Sequence, residues 1–180
     1  VNYIVKHAVG PLFEGKKPAE VAEIRVLDPA CGSGSFLLGA YEFLLEWYLN
    51  AYRDTPAYKK QHASVRKDVM RHSTKGNPLT PDGRLTIAEK KRILLAHLFG
   101  VDIDPQAVEV TKLSLLTKML ENENGPSLKA QQELFHERVL PDLDGNIKCG
   151  NSLIGSDFYG LDFEPGAEKK IKPFDWEKEY

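Results

Sequence analysis

Cysteine is scarce, with two in 180 residues, Cys31 and Cys149. Far apart in the chain, they form neither a metal-ligand spacing nor a disulfide framework, so a reducing cytoplasm is the expected compartment. His62, His72, His97 and His136 also fall at no ligand spacing, and no metal site is expected. No apolar run approaches the ~20 residues that a bilayer-spanning helix needs, so no membrane association is expected. The opening VNYIVKHAVG lacks the basic region and cleavage site of a secretory signal. It begins with Val rather than Met, as a fragment or a processed product would.

An excess of charge of one sign is also lacking. The formal net charge of −2 excludes a chain that is basic all over. The distribution is uneven, however: Arg53 to Arg92 holds eleven Lys/Arg against four Asp/Glu, and the remainder is acidic. Two readings of the basic stretch stand side by side, a surface that touches phosphates and a solvated, mobile insertion over residues 53–85. The apolar share of 42% with 28% charged residues is ordinary for one globular domain with a core of its own.

What is present is alternation. Apolar residues from Tyr3 to Phe13 follow helical spacing, ending near Gly10-Pro11. Ile24-Arg25-Val26-Leu27 reads as a strand stopping at Asp28-Pro29. Phe36 to about Tyr52 is helical and apolar on more than one side, as in a helix packed against a sheet; Trp47 and Tyr48 belong to its buried face. Asn77-Pro78-Leu79-Thr80 is a turn. Thr86-Ile87-Ala88-Glu89 fits a capping box opening a further helix. His97 to Ile103 is a second strand, and Asp104-Pro105 caps the helix that follows it. Asn146 to Cys149 is a third strand candidate. Strands alternating with helices predict an α/β domain with a mainly parallel sheet.

Three short stretches carry chemistry. The first, Val26-Leu27-Asp28-Pro29-Ala30-Cys31-Gly32-Ser33-Gly34-Ser35-Phe36-Leu37, joins a strand to a helix. Glycines there let the backbone turn tightly and approach a ligand, and the helix start offers unpaired N–H groups. Several readings compete. A P-loop needs Gly-Lys-Ser/Thr, and no Lys is present; a dinucleotide fingerprint wants Gly or Ala where Leu37 stands. An S-adenosylmethionine (AdoMet) site needs close backbone approach without a pyrophosphate, and a plain strand-to-helix turn needs nothing. The second stretch, Gly100-Val101-Asp102-Ile103-Asp104-Pro105, ends a strand on an acid suited to two ribose hydroxyls, with an apolar Ile103 beside it. Asp28 and Asp102 are 74 residues apart, against the usual ~20 between glycine loop and acid, because of the basic stretch. The third, Lys148-Cys149-Gly150-Asn151-Ser152-Leu153, offers the Asn151 amide oxygen to an exocyclic amine.

In this order the three stretches resemble the AdoMet-binding part of bacterial DNA adenine-N6 methyltransferases, especially the fused methyltransferase-endonucleases (type IIG) and related phage-defence methylases. VLDPACGSGSFL is similar to their glycine-loop motif, GVDIDP to their ribose motif and CGNSLIG to their adenine motif; Tyr3-Ile4-Val5 resembles the end of the helix motif that precedes the loop. The likeness covers residues 2–13, 24–40, 94–122 and 146–155. It implies a Rossmann-like AdoMet-dependent methyltransferase fold acting on double-stranded DNA. By the same likeness Asp28, Ala30, Gly32, Gly34, Phe36, Asp102, Ile103, Asn151 and Ser152 bind the donor: Asp28 and the Gly32–Gly34 backbone serve the methionine end, Phe36 packs near the sulfonium, Asp102 takes the ribose, and Ile103 with Asn151 takes the adenine. The family's Asn/Asp-Pro-Pro-aromatic loop has no counterpart in the chain, so no catalytic residue is assigned, and that loop and a target-recognition domain are expected beyond residue 180. Two other readings remain: an AdoMet-binding module without catalysis, and a methyltransferase for a substrate other than DNA.

Overall fold

The computed structural model describes residues 1–55, 77–123, 140–155 and 171–180. The centre of the basic stretch and residues 124–139 and 156–170 lie outside the described residues, and with them His62, His72 and His136.

The chain opens with α1 (Asn2–Ala8) and α2 (Gly10–Phe13). Gly10-Pro11 does not end helical structure, as expected, but begins a second short helix, with Pro in the first turn where its missing N–H costs nothing. Strand β1 (Val26–Asp28) leads through the glycine loop into α3 (Ser35–Arg53). Helix α4 (Ile87–His97) runs without a loop into β2 (Leu98–Asp102), followed by α5 (Pro105–Leu120), β3 (Ile147–Cys149) and the short α6 (Trp176–Glu179). Thr86 caps α4 by accepting from the Glu89 amide, at 3.2 Å. The box is not reciprocal, because the Glu89 carboxylate turns to Arg92 at 2.7 Å and accepts from the Tyr52 hydroxyl at 2.6 Å. Asp104 caps α5 as expected, accepting from the Gln106 amide at 2.8 Å.

The three strands form one parallel sheet in the order β1-β2-β3. Asp28 pairs with Gly100 and Asp102 with Cys149, so all three carboxyl ends open at one edge of the sheet. Helices α3 and α5 lie against one face. Gly100 is required there: a Cβ on it would stand 2.8 Å from Leu37 Cδ1 and 3.2 Å from Cys31. The other face carries Phe99, met edge-on by Tyr180 at 5.4 Å between centroids. The Tyr180 hydroxyl donates to the carbonyls of Gly100 and Asn146 at 3.0 and 2.8 Å.

Helix α3 is apolar on several sides because its aromatics pack in or against the core, Tyr41 and Tyr48 fully buried, with their polar tips satisfied. Tyr41 donates to the Lys90 carbonyl at 2.9 Å, and Trp47 Nε1 donates to the Phe13 carbonyl at 3.2 Å. Tyr48 meets the fully buried His97 at 2.8 Å. His97 Nδ1 faces the Ile24 carbonyl, which only accepts. The proton therefore sits on Nδ1, and Nε2 accepts from Tyr48. Burial lowers the His97 pKa, which keeps the ring neutral.

The basic stretch is less peripheral at its described ends than its composition predicts. Leu79 and Leu85 are buried and form an antiparallel bridge. Asn77 Oδ1 accepts from the Leu79 amide at 3.0 Å, a turn as expected. Arg53 clamps the Gly83 carbonyl through Nε and Nη2 at 3.0 and 2.7 Å. The described ends of the stretch, Arg53 and residues 77–85, are thus bonded to the fold, and residues 56–76 of the expected insertion lie outside the described residues.

Candidate functional site

Every candidate site residue named from the sequence lies at or just beyond the carboxyl end of a strand: Asp28 ends β1 and the loop to Phe36 follows it, Asp102 ends β2 and Ile103 follows it, and Asn151 and Ser152 follow β3. This is where ligands bind in open α/β sheets.

The glycine loop turns through two left-handed positions, Gly32 at φ 53° and Gly34 at φ 82°. Such angles cost any residue with a Cβ about 1–2 kcal/mol. The two glycines differ in what lies beyond them. A Cβ on Gly32 would meet nothing within 4 Å, so the loop offers open space there. A Cβ on Gly34 would stand 2.8 Å from Thr111 Cγ2 and 2.9 Å from its Oγ1. The space that a side chain on Gly34 would need is filled by α5, so internal packing also requires a glycine there.

Asp28 Oδ1 accepts from the Ala30 amide at 3.1 Å, closing the turn out of β1. Asp102 ties the two strand ends together: Oδ2 accepts from the Gly32 amide at 2.8 Å and Oδ1 from the Asp104 amide at 2.9 Å. Each carboxylate oxygen keeps a further lone pair for a ligand. Among the described residues neither Asp28 nor Asp102 has an ion-pair partner. Their charge is felt at Cys31, whose thiol is pushed up to about 11 by burial first and then by Asp102 and Asp28. Among the described residues the loop therefore presents an anionic surface, which favours a cationic ligand.

Ile103 projects from the end of β2 with 46% of its surface exposed, an apolar platform beside the acid. Asn151 Oδ1 already accepts from the Leu153 amide at 3.1 Å, which leaves one lone pair rather than two for an incoming amine. The Ser152 carbonyl accepts from Trp176 Nε1 at 3.1 Å, so Trp176 packs onto this turn. Phe36, in the first turn of α3, is partly buried against the core. A cleft of about 360 Å³ opens beside β3 and is lined by Pro105, Val108, Lys112, Cys149 and Phe174; it takes in none of Asp28, Gly32 and Asp102.

Two residues of the site were not singled out in the sequence. Thr111 is fully buried and its hydroxyl donates to the Gly32 carbonyl at 2.8 Å, holding the loop from below. Its signal was available: Val108, Thr111, Leu115 and Met119 form the buried stripe of α5, and Thr111 is its one polar member. Lys172 donates from Nζ to the Ile103 carbonyl at 2.9 Å, and no sequence pattern marks it.

A three-stranded parallel sheet flanked by helices, with a glycine loop leading out of its first strand, is a partial Rossmann-like methyltransferase fold. The chain belongs to the family of the MmeI DNA-methyltransferase domain, whose model matches residues 16–158. A putative type II restriction enzyme and methyltransferase, RM.MjaORFECS2P of Methanocaldococcus jannaschii, is 35% identical over 136 residues, 76% of this chain and 9% of that protein. The type II restriction enzyme and methyltransferase RM.Eco57I of Escherichia coli is 30% identical over 156 residues, 87% of this chain and 14% of that protein. DNA methyltransferase A of Bacillus subtilis is 25% identical over 137 residues, 74% of this chain and 12% of that protein. The chain thus spans between 9% and 14% of the length of these relatives. No solved structure matches it significantly. Among the described residues no helix is long and apolar enough to cross a membrane.

A methyltransferase family implies AdoMet as the methyl donor, and the residues present fit it. AdoMet carries a sulfonium and an ammonium, which suit the Asp28 side of a surface whose two carboxylates have no ion-pair partner among the described residues. Its own carboxylate suits the start of the 19-residue α3, which has no side-chain cap and no acid in its first turn. The open space at Gly32 leaves room for close approach.

Proposed function

We propose that this chain is the donor-binding part of a DNA adenine-N6 methyltransferase of a restriction-modification system, which transfers the methyl group of AdoMet to adenine in double-stranded DNA. The observation that carries the reading is the meeting of Asp102 with the Gly32 amide at 2.8 Å: the ribose acid and the glycine loop form one surface. On that surface Asp28 and the Gly32–Gly34 backbone hold the methionine end, with Ala30 at the turn and Phe36 beside the sulfonium. Asp102 accepts from the ribose hydroxyls. Ile103 lies against the adenine face, and Asn151 with Ser152 faces its edge.

Bound AdoMet supplies an electrophilic methyl group. The work of these residues is to fix its direction. An exocyclic amine is a weak nucleophile, and alignment within near-attack distance accounts for several kcal/mol of such a barrier. The target base has to leave the DNA stack to reach that position. The transfer further needs acceptors for the amine hydrogens and a ring on which the extruded base stacks. The test uses the full-length protein with methyl-labelled AdoMet and duplex DNA, followed by nucleoside analysis. Label in N6-methyladenine is expected; label in methylcytosine, or none on DNA of any sequence, contradicts the reading.

A further inference from the structure

In the segment that runs beside the turn after β3, Lys172 reaches both parts of the adenine side of the site. Lys172 sits at φ 49°, a left-handed angle that side chains with a Cβ rarely adopt. Its Nζ donates to the Ile103 carbonyl at 2.9 Å, and its own carbonyl accepts from the Asn151 amide at 2.7 Å. Ile103 and Asn151 stand on different strand ends, and Lys172 binds both. Cys149 adds a weak contact, its Sγ lying 3.6 Å from the same Ile103 carbonyl.

The neighbours of Lys172 hold it in place. Asn151 and Pro173 form a parallel bridge. The Phe174 amide donates to the Ile154 carbonyl at 2.8 Å, and Trp176 Nε1 reaches the Ser152 carbonyl. Gly150 is shaped to this segment, since a Cβ there would stand 2.5 Å from Phe174 Cδ2 and 3.1 Å from its Cβ. The turn of residues 150–154 and the segment of residues 172–176 are therefore interlocked, and the unfavourable angle falls on Lys172, which binds both walls. A strained angle persists only where its surroundings over-determine it, and such angles cluster at ligand clamps.

We infer that Lys172 is a positioning residue for the nucleoside end of the donor: it sets the distance between the Ile103 platform and the Asn151 turn, and so the affinity for the adenosine moiety. This rests on the donor-site reading above. A purely structural role makes the opposite prediction for one substitution. Lys172→Gly removes the Nζ bond but suits φ 49°, so it relieves the backbone while loosening the Ile103–Asn151 spacing.

The experiment is calorimetry on full-length wild-type, Lys172→Gly and Lys172→Arg proteins, with AdoMet and with 5′-methylthioadenosine, beside thermal melting. Lys172→Gly is expected to melt at or above the wild-type temperature and to lose about tenfold in affinity for both ligands alike, because both carry the adenosine. Lys172→Arg, which keeps a cationic donor, is expected to recover most of that loss. A folded Lys172→Gly protein with wild-type affinities overturns the inference and leaves the donor site standing. A loss confined to AdoMet also overturns it, since the effect would then lie at the methionine end. Failure of the wild-type protein to bind either ligand overturns the donor-site reading, and this inference with it.

Discussion

The Asp102 carboxylate accepts from the Gly32 amide at 2.8 Å across 70 residues of chain. The acid at the end of β2 is therefore part of the glycine loop's own hydrogen bonding as well as a candidate for the ribose. Thr111 completes the arrangement from α5, donating to the carbonyl of the same glycine. Gly32 is held at both its amide and its carbonyl, which leaves the loop pre-shaped before any ligand arrives.

The contact between Gly34 and Thr111 gives a direct test of this packing. Gly34→Ala is expected to destabilise the protein by roughly 2–4 kcal/mol, from a left-handed angle together with overpacking against Thr111. Thr111→Ala removes the opposing atoms but strips the Gly32 carbonyl of its donor. In a double-mutant cycle followed by urea unfolding, the two changes should be less costly together than their sum, by about 1 kcal/mol or more. Strict additivity would mean that a Cβ added at Gly34 does not meet α5.

Gly32 should behave differently. Its added Cβ meets open space, so Gly32→Ala is expected to cost only the left-handed angle, about 1–2 kcal/mol. Its effect on AdoMet binding should be larger, a loss of tenfold or more, because the methyl group enters the space proposed for the donor. A ligand titration in which Gly32→Ala binds AdoMet as the wild type does would move the donor elsewhere on the loop.

Much of this was legible in the sequence because it is local. The Asp104-Pro105 start of α5 and the Thr86 cap depend on neighbouring residues, and both stand as read. The three strands declared themselves by composition and by their flanking turns. The packing role of Gly34 was not legible, because a glycine that admits a ligand and one that admits Thr111 look the same until α5 is packed. The same holds for Glu89, which fits a capping box by spacing but has Arg92 and Tyr52 as stronger partners in the fold. Lys172 carries no signal at all: its significance lies in an angle and in two contacts made far along the chain.

Stability should depend on pH through His97. Burial lowers its pKa from the ordinary 6.5, so the folded state binds fewer protons than the unfolded state between the two values. Its contribution is complete above about pH 6.5 and is lost as pH falls through the lowered, folded-state value. His97→Gln, which keeps a donor and an acceptor, should be less stable at neutral pH by about 1–3 kcal/mol and should have a flatter acid limb. Urea unfolding between about pH 7.5 and 4.5 reads both, and an unchanged acid limb would show that other groups set it.

The central claim, that Asp102 is the ribose acid of an AdoMet site, is tested most directly by calorimetry with a paired ligand change. Full-length wild-type and Asp102→Asn proteins are titrated with 5′-methylthioadenosine and with its 2′,3′-dideoxy analogue. Asp102→Asn is expected to weaken binding of the hydroxylated ligand by about 1.5–3 kcal/mol, roughly 10- to 150-fold. It should change binding of the dideoxy ligand far less, because the partner of the acid is already missing. Equal losses for both ligands, or no loss from a folded variant, would contradict the account: Asp102 would then support the loop through Gly32 without touching the donor.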